Sequence, residues 1–329
     1  MNETTRSREA GLITVVTPTY RRPQEVAGLL EDLARQTLMP VEVILVDGAQ
    51  PDEADTEKLV QGITALLPFK TRYLRHPRGT AIQRNAGIDA ASGSFIAFID
   101  DDVRMEPYFL EQLYAVFDAD TDRRIGGAVG YRTNQYFDLQ SRQRWRWYRR
   151  LRLLKVYEPS RYDFDSGYPI NANMQPPFRG VREVDFMTTA CAMWRREVFD
   201  SGLRFDPFFR DYGILEDAHF SLRAGRTWKL LQCGDAHCRE THSPRGREDR
   251  RRIGYKCVVN YYYVFRQIAG PLTWRRNLRF WRFQAFELFR VATSAIRRRR
   301  LADLMEIWGR LEGLKSVAAG VTSPPSVQR

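Results

Sequence analysis

Apolar residues fall along the first part of this chain in short runs that alternate with helical stripes. Leu12 to Thr17 is a β-branched apolar run and reads as a buried strand. Pro23 then opens a helix in which Val26, Leu29, Leu30 and Leu33 stand at i, i+3, i+4 and i+7. Val41 to Val46 predicts a second strand, closed by Asp47-Gly48, and Lys58 to Leu67 a helix. Thr71 to Arg75 is a weaker third strand, and Ala81 to Ala91 a helix closed by Gly93. Phe95 to Ile99 is a fourth strand that runs directly into Asp100-Asp101-Asp102, and Pro107 to Phe117 is again helical. Alternation at this spacing implies right-handed βαβ units and a mostly parallel sheet.

Regularity weakens afterwards. Arg123 to Tyr131 predicts a strand, and Asn134 to Glu183 reads as an irregular, substrate-facing insertion rich in Arg, Trp, Tyr and Pro. Order returns over Val184 to Trp194, in a helix around Glu216 to Ala224, and in helices from Tyr255 onward. The expected division is a tail over 1–10 and an α/β domain over 11–265, with a regular first half (11–131) and a less regular second half (132–265). A basic, aromatic helical extension (266–322) and a tail over 323–329 follow. No internal repeat is present.

In open parallel sheets, ligands sit beyond the carboxyl ends of the strands. The first strand ends at Thr17-Pro18-Thr19-Tyr20, the second at Asp47 and the fourth at the three aspartates, so all three ends face one crevice. The glycine fingerprint of a dinucleotide site is missing after the first strand, and so is a P-loop. Three adjacent carboxylates repel one another and are kept ionised by a compensating cation. A hard divalent ion, shared with substrate phosphates, is the usual answer. The alternative is a solvated turn in which Asp102 caps the helix near Pro107. Glu216-Asp217 opens another helix, where an acidic residue is either a cap favoured by the dipole or a general base facing a substrate hydroxyl.

Composition adds a sign. The formal net charge is +12, and the basic residues gather at Arg142 to Lys155 and Arg275 to Arg300 rather than in the strand-and-helix region. In the first cluster Trp145, Tyr148 and Leu151 recur among arginines. In the second, Trp274, Leu278, Trp281, Ala285 and Leu288 form a helical stripe flanked by Arg275, Arg276, Arg279 and Arg282. Aromatics beside arginines suit a helix lying in an anionic membrane interface; internal packing and nucleic acid are the alternatives. No helix-turn-helix, zinc knuckle or aromatic RNA-binding strand supports nucleic acid. No run of about eighteen apolar residues predicts a spanning helix, and the polar N-terminus predicts no secretory signal. Four cysteines in 329 residues make no disulfide framework, and Cys233 and Cys238 would need two further ligands to hold zinc. A cytoplasmic protein, peripheral at the inner face of a membrane, is the expectation.

The order of motifs carries a resemblance. Thr17-Pro18-Thr19-Tyr20-Arg21-Arg22-Pro23, then Val43-Ile44-Leu45-Val46-Asp47-Gly48, then Gln83-Arg84-Asn85-Ala86-Gly87, resembles family 2 glycosyltransferases. Phe98-Ile99-Asp100-Asp101-Asp102 looks like their aspartate motif. Met193 to Phe199 and Gly202 to Phe209 look like the segment before their second acidic motif, which Glu216-Asp217-Ala218-His219 matches. The likeness covers roughly residues 12 to 265. It implies an α/β fold of the Rossmann-like GT-A type with a mostly parallel mixed sheet, a nucleotide-sugar donor, Mg²⁺ or Mn²⁺, and inversion at the anomeric carbon. Carried over, Thr17, Pro18, Thr19 and Tyr20 line the nucleotide, and Asp47 accepts a hydrogen bond from the base. Arg84 and Asn85 order the adjoining loop, and Asp100 and Asp101 lie near the ribose and donor sugar. Asp102 is the principal metal ligand, with Asp100 beside it, and Asp217 is the general base. Many members add a downstream histidine ligand, for which His242 is ranked first and His237 and Glu240 compete. Ala49 stands where the family usually has Ser. The implied acceptor is a glycan or a lipid-linked sugar. The rival enzyme reading, a nucleotidyltransferase that makes sugar nucleotides, needs a Gly-rich basic loop that Thr17 to Pro23 does not supply.

Overall fold

The computed structural model describes residues 13–137, 139–209, 213–241, 249–298 and 301–320. The chain begins as the periodicity predicts. β1 (Ile13–Thr19) is followed by α1 (Pro23–Ala34), β2 (Glu42–Asp47), α2 (Asp55–Ile63), β3 (Lys70–Arg75), α3 (Thr80–Ala90) and β4 (Phe95–Ile99). Every residue of β1, β2 and β4 is buried, as strands covered on both faces must be. α1 starts at Pro23, whose missing N–H costs nothing in the first turn, and buries Val26, Leu29, Leu30 and Leu33. Each such side chain contributes about 1.5–3 kcal/mol.

The remainder is β5 (Val103–Met105), α4 (Phe109–Asp118), β6 (Ile125–Arg132), α5 (Leu139–Arg150), β7 (Tyr162–Asp163), β8 (Tyr168–Pro169), β9 (Val181–Glu183), β10 (Cys191–Arg195), α6 (Glu216–Ala224), β11 (Lys229–Glu240), α7 (Arg250–Ala269), α8 (Trp274–Arg298) and α9 (Leu301–Ala318). The main sheet runs β3-β2-β1-β4-β10-β6-β11-β5, with β9 also on β11. β3, β2, β1 and β4 are parallel, and β6 and β11 are parallel to each other. β10 is antiparallel to both β4 and β6, and β5 and β9 are antiparallel to β11. The parallel character thus belongs to the first half, and the sheet as a whole is mixed.

Three elements depart from the sequence reading. The insertion contains a regular helix, α5, whose Arg- and Gln-rich pattern hides it. β11 is a twelve-residue strand that pairs first with β6, shifts register between Gln232 and His237, and ends on β5. α7 runs through the expected boundary at 265 to Ala269 and stops at Gly270, whose φ of +70° ends the helix.

The two basic clusters meet. Tyr148 of α5 is fully buried against Phe283 and Phe286 of α8, and Trp145 stacks edge-on to it. Glu287 of α8 accepts from Tyr148, from Arg144 at 2.8 Å and from Arg290 at 2.9 Å. Burial opposes its charge, yet Arg144 and Arg290 hold its carboxyl down at about 2. Tyr148 is therefore a core residue, and Trp145 packs part-buried against it. The expected tails over 1–10 and 323–329 lie outside the described residues.

Candidate active site

The carboxyl ends of β1, β2 and β4 lie side by side, because parallel pairing sets Thr19 against Asp47 and Val16 against Phe98. α3 clamps them. Gly87 lets the helix lie against β1, since a Cβ there would overlap the Val16 side chain. Gln83 donates to the carbonyls of Thr19 (2.9 Å) and Val46 (2.7 Å), joining the ends of β1 and β2. Asp47 is fully buried and accepts from the Ala49 N–H (2.8 Å) and the Tyr73 hydroxyl (2.8 Å). The turn is thus closed by the backbone of Ala49 and needs no hydroxyl at that position. Pro18 is buried within β1. The guanidinium groups of Arg21 (5.0 Å) and Arg78 (4.3 Å) lie over the Tyr20 ring. Thr17 is turned away from the crevice: it is fully buried and donates to the Ile99 carbonyl at 2.7 Å. Its contribution is to brace the strand end that carries the aspartates.

The three aspartates have three different environments. Asp100 is part-exposed and accepts from Arg84 at 3.0 Å. Asp101 is 2% exposed and accepts from Thr19 and Arg22, both at 2.7 Å. Burial raises its carboxyl to about 7, against the pull of Arg22 and Thr19. Asp102 is 8% exposed, with Arg22 at 3.6 Å, and its carbonyl accepts from the N–H and hydroxyl of Thr241, both at 2.9 Å. Arg22, quoted in the motif but given no role there, is the cation that allows these carboxylates to crowd.

Arg84 joins the two acidic motifs. It is 3% exposed and reaches Asp100 with one nitrogen and Glu216 with the other at 3.1 Å. Burial works against its charge, but Asp100 and Glu216 outweigh it and raise its pKa. Asn85 points elsewhere and pairs twice with the backbone of Phe205, so it fixes the segment leading to α6. Glu216 also accepts from Thr80 at 3.2 Å. Burial and the adjacent Asp217 raise its carboxyl to about 7. Asp217, part-exposed at the start of α6, is likewise raised by desolvation, while Arg84 and Arg132 pull it down. Leu215, just before the pair, has φ +72°, a conformation that strains a branched residue and aims the helix start.

β11 supplies the last wall. His237 lies near the rings of Tyr108 and Tyr131, with centroids at 6.5 and 6.4 Å. Glu240 stands opposite Val103 and is ion-paired to Arg132 at 2.7 Å, with Arg132 also holding Asn173 at 2.7 Å. Glu240 is thereby committed to a cation. His242 lies outside the described residues. Cys233 and Cys238 are buried and unbridged. Among the described residues no group of three or more His, Cys, Asp or Glu side chains stands ready to hold a metal. The donor chemistry at Asp100 and Asp102 is nonetheless that of Mg²⁺ or Mn²⁺: hard carboxylate oxygens, few in number, for an ion completed by substrate phosphates.

The sequence model described as glycosyl transferase family 2 matches residues 14–203. An uncharacterised glycosyltransferase of Bacillus subtilis, YwdF, is 36% identical over 101 residues, covering 31% of this chain and 36% of that protein. The succinoglycan biosynthesis protein ExoM of Rhizobium meliloti is 34% identical over 113 residues, 34% of this chain and 35% of its own. These matches span about a third of the relatives' lengths. The mannosyltransferase PcManGT from Pyrobaculum calidifontis, solved with GDP-Man and Mn²⁺, superposes with a TM-score of 0.53 at 16% identity. It covers 93% of this chain and 75% of that one, a likeness of fold.

Proposed function

The chain belongs to glycosyl transferase family 2 and has the GT-A type of α/β fold, and from that premise we propose that it is an inverting, metal-dependent glycosyltransferase. It moves a sugar from a nucleotide-sugar donor to an acceptor hydroxyl, in envelope or surface glycan synthesis. The observation that carries this reading is the meeting of Asp100–Asp102, at the end of β4, with Glu216-Asp217 of α6 through one buried arginine, Arg84.

In this reading the nucleotide lies over the ends of β1 and β2. Tyr20 covers it, and the turn after β2, fixed by the bonds of Asp47 to Ala49 and Tyr73, frames the base. Asp101, fixed by Thr19 and Arg22, faces the ribose and donor sugar. Asp102, with Asp100 and His242, would hold Mg²⁺ or Mn²⁺, which when bound supplies positive charge to the diphosphate leaving group. The Mn²⁺ and GDP-Man of the PcManGT structure support that choice of donor and ion. Asp217 takes the proton of the acceptor hydroxyl as its oxygen bonds to the anomeric carbon. The bond from that carbon to the diphosphate breaks with its electron pair on the leaving oxygen, and one displacement inverts the centre. A carboxyl raised by burial is the better base near neutral pH. Arg84 keeps the two acidic motifs in register.

The acceptor is a glycan or a lipid-linked sugar, and the succinoglycan role in the name of ExoM supports an exported polysaccharide. Among the described residues no helix is long and apolar enough to cross a membrane. The reading puts the enzyme at the cytoplasmic face of a membrane as a peripheral protein, against an anionic surface suited to the exposed arginines of α8.

Turnover of UDP-, GDP-, dTDP- and CDP-sugars tests the proposal, with the anomeric configuration of the product read by NMR. Asp217→Asn should bind the preferred donor as the wild type does and transfer it on the order of a hundredfold more slowly. Donor affinity that falls in step with turnover would make Asp217 a donor contact or a cap.

A further inference from the structure

α8 is 25 residues long, a rod of about 37 Å at 1.5 Å per residue. Its inner face is sealed: Phe280, Phe283, Glu287, Val291 and Ala295 are buried, with Phe280 packed on Tyr262 and Phe265 of α7. Its outer face is the reverse. Trp274 is 70% exposed, Leu278 50%, Phe289 64% and Ile296 76%. At 100° per residue these four project within about 60° of one another along the whole rod. Arg275, Arg282 and Arg297 are exposed along one flank of that stripe. The helix has one acidic residue, Glu287, and it faces inward, bonded to Arg144, Tyr148 and Arg290. The outer face is therefore apolar and cationic, with no carboxylate of its own.

Resting on the glycosyltransferase reading above, we propose that α8 lies flat in the interface of an anionic lipid surface. Trp274, Leu278, Phe289 and Ile296 enter the boundary of the acyl chains, and Arg275, Arg282 and Arg297 meet lipid headgroups. Charge selects this occupant over a second copy of the chain. A two-fold contact through the same face would bring both sets of arginines together with no carboxylate to answer them. The docking face also shares a frame with the crevice. The Glu287 cluster holds Arg144, which donates to Tyr168 of β8 at 3.2 Å. β8 leads directly to Asn173, which accepts from Arg132 at the end of β6. A lipid-linked acceptor would thus be presented to a wall built on the helix that holds the membrane.

Flotation of the full chain decides this, using vesicles of phosphatidylglycerol with phosphatidylcholine and of phosphatidylcholine alone. The wild type should float with the anionic vesicles and far less with the neutral ones. Trp274→Gln/Phe289→Gln/Ile296→Gln should reduce flotation at least roughly tenfold. Arg275→Gln/Arg297→Gln should weaken it about fivefold per arginine, and on anionic vesicles alone. Leu66→Gln, at a site 82% exposed in the nucleotide half, should float as the wild type does. Nucleotide binding measured without vesicles should be unchanged in all three variants, which shows that they are folded. Failure of the wild type to float, or a triple variant that floats normally, overturns the docking proposal. So does a wild-type dimer, seen by sedimentation velocity, that the triple variant converts to monomer. A wild type that floats but binds no nucleotide would instead sink the glycosyltransferase reading and leave the docking face standing.

Discussion

Arg84 lies within hydrogen-bond reach of carboxylates drawn from positions 16 and 132 residues away in the chain. Its burial is tolerated because both of those nitrogens are answered, and removing either partner would leave one buried nitrogen without an acceptor. Glu216 shares the strain of the arrangement by keeping its proton to about pH 7. The unfolded value is about 4.3, so the folded chain holds this proton more tightly. Stability from this group is then present at acid pH and is lost as pH rises from about 4 towards 7. Glu216→Gln removes the titration, and its stability curve, followed by urea unfolding, should be flatter across that window by up to about 1.4 kcal/mol per pH unit. An unchanged slope would place the proton elsewhere. At this scale the sequence shows the two acidic motifs, because carboxylates crowd in Asp100-Asp101-Asp102 and Glu216-Asp217. It does not show that Arg84 joins them, or that Thr17 turns its hydroxyl to Ile99, since both facts are set by contacts across the sheet.

Helix-period and strand-period signals made α1, β1, β2 and β4 legible, because each buries one clean face or both. β11 was not, since Gln232, Asp235, His237 and Arg239 interrupt its apolar positions and its register shifts midway. α5 was hidden because Arg and Gln break up its few apolar positions. The C-terminal helices were visible as helices, but their packing rests on residues with no side chain. A Cβ at Gly309 of α9 would fall on the carbonyl oxygen of Arg251 in α7, and one at Gly254 on that of Glu306. Gly309→Ala should therefore push α9 off α7 and cost about 1–3 kcal/mol. Gly62→Ala in α2, where nothing lies within 4 Å, should gain up to about 1 kcal/mol. Thermal unfolding of the two variants checks the contrast, and equal shifts would refute the close approach.

Across the whole molecule, the order of the motifs from Thr17 to Glu216 carries the family and the fold, while the charge of +12 belongs to elements added around them. The sequence placed both basic clusters outside the nucleotide half. The structure separates their roles, with Tyr148 in a core and Trp274 at the surface. The central claim is that the strand-end aspartates make nucleotide binding depend on a divalent ion. Isothermal titration of UDP, GDP, dTDP and CDP tests it most directly, run on the wild type and on Asp102→Ala, in Mn²⁺ and in EDTA. One nucleotide should bind the wild type in Mn²⁺, and its affinity should fall by about tenfold or more in EDTA and in the variant. Equal affinity of that nucleotide in all of these conditions would contradict the account.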